Sequence, residues 1–173
     1  PVTQSPLTHQ FIMKFSISKE AFLDALQQVQ HVVSNRATLP ILSNVLIVAV
    51  DGKLKLSTTD LDVGVSGSVD ASIDKEGSTT LPVKRLVSII RELPASEVEV
   101  SVDGKNHASI KCGPSFFKII GLGEDEFPPL PKFEDATEFK IAQSVLHDAI
   151  KKTSYAISTD ETRYVLNGIY VSF

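Results

Sequence analysis

The alternation of apolar and polar residues divides the chain into short strands and helices. Phe15 and Ile17 alternate with polar neighbours, as in a strand, and Ser18 stands where the N-cap of a following helix is expected. The spacing then becomes helical, with one apolar stripe made of Phe22, Leu26, Val29 and Val33. Residues 41–50 are too apolar for a strand with one wet face, which predicts a buried strand.

Two dipeptides predict the hairpins that join the strands. Asp51-Gly52 and Asp103-Gly104 are residue pairs typical of tight β-turns, and apolar residues alternate on both sides of each. Between the hairpins, a period of two continues through residues 61–73, with a bulge or bend expected at Gly67.

The order strand, helix, three strands occurs twice within residues 13–131. In the second half, Pro82 suits the first position of a short helix, and Pro94 closes that helix. Two such halves predict an α+β unit in which antiparallel strands form sheets and two helices cover one side.

A repeat at a larger scale sets the domain organisation. Shifting the sequence on itself by 124 positions, without a gap, aligns Phe15 with Phe139, Ile17 with Ile141, Asp24 with Asp148, Leu26 with Ile150 and Leu42 with Leu166. We therefore interpret residues 1–12 as an upstream extension and 13–131 as one complete unit that closes in an acidic, proline-rich linker. We interpret residues 132–173 as a further linker stretch followed by the start of a truncated second unit. A cut sheet would leave an unpaired edge, so we expect self-association.

Composition places the chain among ordinary globular proteins. Hydrophobic residues make up 42% of the 173 residues and charged residues 22%, and the net charge of −4 argues against a generally basic nucleic-acid binder. A single cysteine, Cys112, excludes an internal disulfide and suits a cytoplasmic location. No apolar run approaches the roughly 20 residues that span a bilayer.

The residues that could carry out chemistry do not assemble into a catalytic or metal site. Asp60 and Asp62 are most simply a solvated turn, the acids at 124–126 an exposed linker, and Cys112 a buried, inert thiol. The four histidines lack metal-ligand spacing. We predict no enzyme activity and no cofactor; a repeat-built enzyme or small-ligand protein with an unrecognised pocket is the alternative.

Basic residues recur at helix faces and helix ends. Arg36 follows the first helix, Arg163 and Tyr164 lie near the equivalent turn of the second copy, and Lys151 and Lys152 lie on the second helix. Such residues can contact phosphate without reading bases. Scattered solubilising charge is the alternative.

Six motifs, in order from Met13 to the end, resemble the bacterial sliding clamps, the β subunits of DNA polymerase III. They are M-K-F-S-I-S-K-E at 13–20, R-A-T-L-P-I-L-S-N-V-L-I at 36–47, T-D-L-D-V-G-V at 59–65, T-T-L-P-V-K-R-L at 79–86, F-P-P-L-P at 127–131 and R-Y-V-L-N-G at 163–168. The resemblance implies the DNA-clamp fold, with three copies of one domain per chain and a head-to-tail homodimer that closes into a ring.

The same resemblance implies function and partners. The ring would encircle duplex DNA without sequence preference and tether the catalytic subunit of DNA polymerase III after a clamp loader has placed it there. It would have no catalytic activity, no cofactor and no membrane contact.

Individual positions also carry over by resemblance. Arg36, Arg163 and Tyr164 match positions that touch DNA, while Val165 and Asp160 depart from residues found beside them in the family. Leu166 matches the floor of a peptide-binding cleft. Positions on the ring-closing edge of the first domain are matched by Arg85, Phe117 and Ile119. For Leu166 and Ile119, a simple core role is the alternative.

Overall fold

A computed structural model of the chain describes residues 11–33, 39–130 and 138–172, which belong to two compact units, Pro1–Leu130 and Pro131–Phe173. In unit 1, the first half contains β1 (Phe11–Ser18), α1 (Lys19–Val29), β2 (Asn44–Val50), β3 (Lys53–Thr59) and β4 (Gly64–Asp70). A short β5 (Ser72–Lys75) follows. The second half contains β6 (Gly77–Pro82), α2 (Val83–Glu92), β7 (Glu97–Asp103), β8 (His107–Cys112) and β9 (Ser115–Ile120). The predicted order of strand, helix and three strands is confirmed in both halves.

The strands form two antiparallel sheets, and the two halves exchange their first strands. The first sheet has the order β5-β1-β7-β8-β9, and the second sheet has the order β4-β3-β2-β6. Strand β1 therefore joins the three strands of the other half, pairing Ile17 with Val98, and β6 does the same, pairing Leu81 with Val45. Neither half can complete a sheet alone, so unit 1 folds as one body.

The prediction of a bulge or bend at Gly67 is wrong. Gly67 pairs with Leu56 in an unbroken β3–β4 register. The strand is interrupted instead at Ala71, where the chain leaves the second sheet and enters the first sheet as β5. The Asp51-Gly52 hairpin is confirmed, with φ of 51° and 71° at its two turn residues.

The core lies on the faces that the sequence predicted. Phe22, Leu26 and Val29 of α1 are fully buried, and the Phe22 ring meets that of Phe15 edge-on at 5.8 Å and 86°. Helix α2 buries its own apolar stripe, Val83, Leu86, Val87 and Ile90. Cys112 is buried as expected. The Ser18 hydroxyl accepts a hydrogen bond from the Ala21 amide at 3.3 Å, which confirms it as the N-cap.

The acidic, proline-rich stretch after β9 packs on unit 1. A second apolar cluster contains Ile41, Leu42 and Phe127, with Leu122 and Leu130 against it. Phe127 is 8% exposed, so this stretch is part of the folded unit up to Leu130 and not the loose linker that its composition suggested.

Unit 2 repeats the first helix in the predicted register. Helix α3 (Gln143–Thr153) starts and ends 124 residues after α1, and the short 3-10 turn that follows it keeps the same offset. Residues 138–142 form no strand, although Phe139 and Ile141 were expected to lie in one. Side chains along the stripe of α3, such as Leu146 and Ile150, are exposed. Across the described ranges, every helix is too short or too polar to cross a membrane.

Candidate functional site

The first sheet ends at β9, an edge strand with a predominantly apolar surface. Phe116, Phe117 and Ile120 are 57%, 39% and 71% exposed, whereas Ile119 is 1% exposed. Phe117 and Ile119 are two residues apart and pair with Ile110 and Ala108, whose side chains are in the core. The side chain of Ile119 therefore belongs to the core, and any part it plays in a subunit contact comes from its backbone.

A cavity of about 390 Å³ lies beside this edge. Its lining includes Phe11, Asp103, His107, Ser109, Lys118 and Ile120. Asp103 Oδ2 lies 3.3 Å from His107 Nδ1, and backbone hydrogen bonds from His107 and Lys105 lower the pKa of the Asp103 carboxyl. The Asp103 carboxylate thus stabilises the β7–β8 turn by accepting the amides of Lys105 and His107.

The exposed faces of the two helices differ in charge. Lys84, Arg85 and Arg91 are exposed on α2, where the Ser88 hydroxyl donates to the Lys84 carbonyl at 2.8 Å. On α1 the exposed residues are Glu20, Asp24 and Gln28, while the ammonium of Lys19 donates to the Leu93 carbonyl at the end of α2. Positive charge is therefore concentrated on α2. Arg85 is on this helix, whereas Phe117 and Ile119 share β9.

The predicted phosphate-contacting residues are only partly described. Arg36 lies outside the described residues, and for Tyr164 only the backbone is described, within the 3-10 segment Glu161–Leu166. Arg163 is exposed, with its Nε 3.6 Å from Asp160 Oδ2. Hydrogen bonds from the Thr162 hydroxyl and amide lower the pKa of Asp160, which keeps this carboxylate charged beside the guanidinium.

Two further cations of unit 2 are in the last turn of α3, where Lys151 and Lys152 are exposed. Leu166 is 54% exposed, and its carbonyl accepts the Ser158 amide at 3.0 Å. Both readings of Leu166, the cleft floor and a simple core position, therefore stay predictions.

The carboxylates at Asp60 and Asp62 belong to a turn. Asp60 Oδ1 accepts the amides of Asp62 and Val63 at 3.0 and 2.7 Å, as an Asx turn does. Leu61 adopts φ of 84° at the tip of this turn and is 59% exposed. Within the described parts of the chain, His, Cys, Asp and Glu side chains form no cluster of three that could hold a metal ion.

Sequence reasoning missed the polar residues buried where β9 ends. Asn44, Thr79 and Thr80 are 5% exposed or less, and Asn106 has φ of 59° in the β7–β8 turn. Asn106 could have been suspected, because asparagine is enriched at left-handed turn positions. The threonines could not, since they read as ordinary strand residues.

Comparison with known proteins gives one consistent result. Residues 13–131 match the family described as DNA polymerase III beta subunit, N-terminal domain. The chain is 40% identical over 161 residues to a beta sliding clamp of Caulobacter vibrioides, covering 92% of this chain and 43% of that protein. It is 36% identical over 160 residues to one of Chlamydia muridarum, covering 92% and 44%.

Solved structures agree with the sequence comparisons. A beta sliding clamp of Caulobacter crescentus superimposes with a TM-score of 0.87 at 40% identity, covering 92% of this chain and 43% of that one. A DNA polymerase sliding clamp of Bacillus subtilis gives 0.85 at 32% identity, covering 88% and 42%. The chain spans less than half the length of these relatives.

Proposed function

The chain belongs to the DNA polymerase III β-subunit family, and from that membership we propose that the native-length protein is a sliding clamp. It forms a head-to-tail homodimeric ring around duplex DNA and tethers the replicative polymerase. The observation that carries this is the TM-score of 0.87 at 40% identity to a solved beta sliding clamp, over 92% of the chain. We place the protein in the cytoplasm, where its partners are the DNA polymerase III catalytic subunit and the clamp loader.

We assign residues 13–131 to the first clamp domain and 132–173 to a linker and the start of the second. The offset of 124 residues between α1 and α3 supports a duplicated unit, because both the start and the end of the helix repeat with it. Residues 1–12 precede the family match and are assigned to an upstream extension.

The DNA contact is proposed to be electrostatic and independent of sequence. A closed ring holds DNA by topology, so a few weak phosphate contacts are sufficient, and base readout would stop it from sliding. Arg36, Arg163 and Tyr164 are the proposed contacts. The Asp160 carboxylate beside Arg163 partly neutralises the guanidinium, which weakens this contact and favours sliding over holding.

The ring contact is proposed to use the β9 edge. An edge strand offers backbone groups for pairing with a strand of another subunit, and the exposed Phe117 adds apolar area. Arg85 would supply a charged contact from α2, and Ile119 would contribute backbone only. Leu166 is proposed as part of the cleft that receives peptides of the polymerase.

We propose no catalytic role. Three of the described carboxylates that accept hydrogen bonds, Asp60, Asp103 and Asp160, do so within turns. The thiol of Cys112 is buried and lies 3.6 Å from the Pro94 carbonyl. Tethering requires none of these groups to react.

The test loads the native-length protein onto nicked circular DNA, which is then cut at one site. A clamp stays on circles and is lost from the ends of the linear product. Equal retention on both forms would mean ordinary binding and would remove the ring from the proposal.

The DNA contact is tested separately, by the affinity of the native-length protein for open linear duplex DNA, which topology does not hold. Arg163→Ala should lower this affinity and reduce its dependence on salt, because one phosphate contact is lost. Lys105→Ala, which removes an exposed cation from the β7–β8 turn, is the matched control and should leave the affinity unchanged. If both variants lose affinity equally, general charge rather than Arg163 would account for the DNA contact.

A further inference from the structure

Four polar side chains surround the point where the chain leaves β9. We call them, with the backbone they hold, the exit clasp: Asn44 of β2, Thr79 and Thr80 of β6, Asn106 of the β7–β8 turn, and the backbone of Gly121 and Leu122. Five polar residues are buried in the described parts of the chain, and three of them belong to this clasp. Burying a polar group costs free energy unless the group is hydrogen-bonded. The concentration of buried polar residues at one place therefore marks a specific hydrogen-bonded arrangement.

The first part of the clasp joins the segment after β9 to the second sheet. The amide of Thr80 donates to the Leu122 carbonyl at 3.0 Å, and the amide of Leu122 donates back to the Thr80 carbonyl at 3.1 Å. The Thr80 hydroxyl also donates to the Leu122 carbonyl at 3.0 Å and accepts from Asn44 Nδ2 at 3.0 Å. Leu122 thereby covers the edge of the second sheet at β6.

The second part of the clasp joins the β7–β8 turn to both sheets. The Asn106 carbonyl accepts the Gly121 amide at 2.9 Å, and Asn106 Oδ1 accepts the Thr79 hydroxyl at 3.1 Å. Asn106 is held in the left-handed region at φ of 59°, and its own amide donates to the Asp103 carbonyl at 3.0 Å. One asparagine thus fixes the residue that follows β9 and also contacts the second sheet.

These contacts start at the residue that follows Ile120, the last residue of β9. An edge strand can accept a partner strand only while its own backbone is held in register. A frayed end would forfeit part of the pairing, and strand ends open locally far more often than whole domains unfold.

We propose that the exit clasp is a positioning device for ring closure, in which Asn106 and Thr79 hold the end of β9 ready to pair with the second subunit. The proposal rests on the proposed function, because it takes β9 to be the ring-closing edge. Asn106 and Thr79 act through β9 and do not themselves touch the partner.

The test uses two variants and a matched control in the native-length protein. Thr79→Val removes the hydroxyl while keeping the shape of the side chain, and Asn106→Gly removes the amide group while keeping a residue that tolerates positive φ. Thr58→Val is the control. Thr58 is equally buried, and its hydroxyl donates to the Val29 carbonyl at 2.6 Å, away from the clasp.

Two quantities are measured for each variant: hydrogen exchange at the Gly121 and Leu122 amides, and the rate at which subunits exchange between rings. Losing one buried hydrogen bond should speed local opening about fivefold. We expect this acceleration, and a several-fold faster subunit exchange, in Thr79→Val and Asn106→Gly but not in Thr58→Val. The double variant should be no worse than either single variant, because the two changes remove the same bond.

Three results would overturn the proposal. Amide exchange in Thr79→Val equal to that in Thr58→Val would show that the clasp does not hold this segment. Faster amide exchange with unchanged subunit exchange would make the clasp a local reinforcement without a role in ring closure. If the wild-type protein forms no ring, the proposed function fails, and β9 loses the role that the clasp was proposed to serve.

Discussion

A single added methyl group at Gly121 should disturb the exit clasp more than any exposed substitution nearby. A Cβ at this position would lie 2.1 Å from the Thr80 carbonyl oxygen, 2.9 Å from Leu81 Cδ2 and 3.1 Å from the Asn106 carbonyl oxygen. The nearest of these atoms is backbone, so no side-chain rotation can relieve the contact. The Thr80 and Gly121 segments would have to move apart by about 1.3 Å, since ordinary van der Waals contacts begin at 3.4 Å.

The size of the effect follows from the hydrogen bonds that such a shift would break. The two backbone bonds between Thr80 and Leu122 and the bond from the Gly121 amide to Asn106 are all within reach of the displacement. At about 1 kcal/mol each, their loss would lower the free energy of unfolding by about 3 kcal/mol. For a domain of this size, that corresponds to a fall in Tm of roughly 10 °C.

Urea unfolding of three alanine variants would check this reasoning. Gly104→Ala meets no atom within 4 Å and should be close to neutral. Gly52→Ala also meets nothing within 4 Å but has φ of 71°, so it should lose about 1 kcal/mol through backbone strain alone. Gly121→Ala should lose the most. If its loss is within about 0.5 kcal/mol of that of Gly104→Ala, the close approach does not carry the energy assigned to it.

Three further changes test the fold of unit 1. Phe22→Ala should lower the free energy of unfolding by about 3–5 kcal/mol in urea titrations, because the ring is fully buried; Phe22→Leu, which keeps most of the volume, should lose clearly less. Ser18→Ala should cost about 1 kcal/mol through loss of the N-cap, and a loss no larger than that of an exposed Ser72→Ala would contradict this role. Asp103 has a pKa below its ordinary value of 3.8, so its charge stabilises the fold above pH 4 and that contribution is lost as the pH falls through the lowered pKa. Thermal unfolding should therefore show Asp103→Asn below the wild type at pH 7, with the difference narrowing as the pH is lowered below 4; a constant difference would exclude the charge as the cause.

Local signals predicted the elements of unit 1 well. The Asp51-Gly52 turn and the apolar stripe of α1 depend on neighbouring residues only, and both are found where the sequence placed them. The exchange of β1 and β6 between the two halves could not be predicted, because it depends on pairings between residues far apart in the chain.

At two positions the local sequence signal and the long-range packing favour different structures, and the observed structure follows the packing. Gly67 suggested a bulge, but the position faces α1, where an added Cβ would lie 3.8 Å from Gln28 Oε1. Phe127 lies in a stretch whose composition suggests a linker, yet its ring is buried against Ile41 and Leu42. For the proposed sites, the sequence supplied residues such as Arg163 and Phe117 but could not supply their neighbours. The Asp160 ion pair and the open β9 edge are visible only in the structure.

The passage from β4 to β5 has a mechanical consequence. Only Ala71 separates the last residue of the second sheet from the first residue of β5 in the first sheet, so a covalent bridge of one residue joins the sheets there. Elsewhere, the Thr80–Leu122 pairing joins them through hydrogen bonds. A pull on β9 would be carried to the second sheet by these hydrogen bonds and by two covalent bridges of one residue each, at Ala71 and at Glu76 between β5 and β6, and of these only the hydrogen bonds can yield. Under tension, the two sheets of unit 1 should therefore separate first at the hydrogen bonds between Thr80 and Leu122.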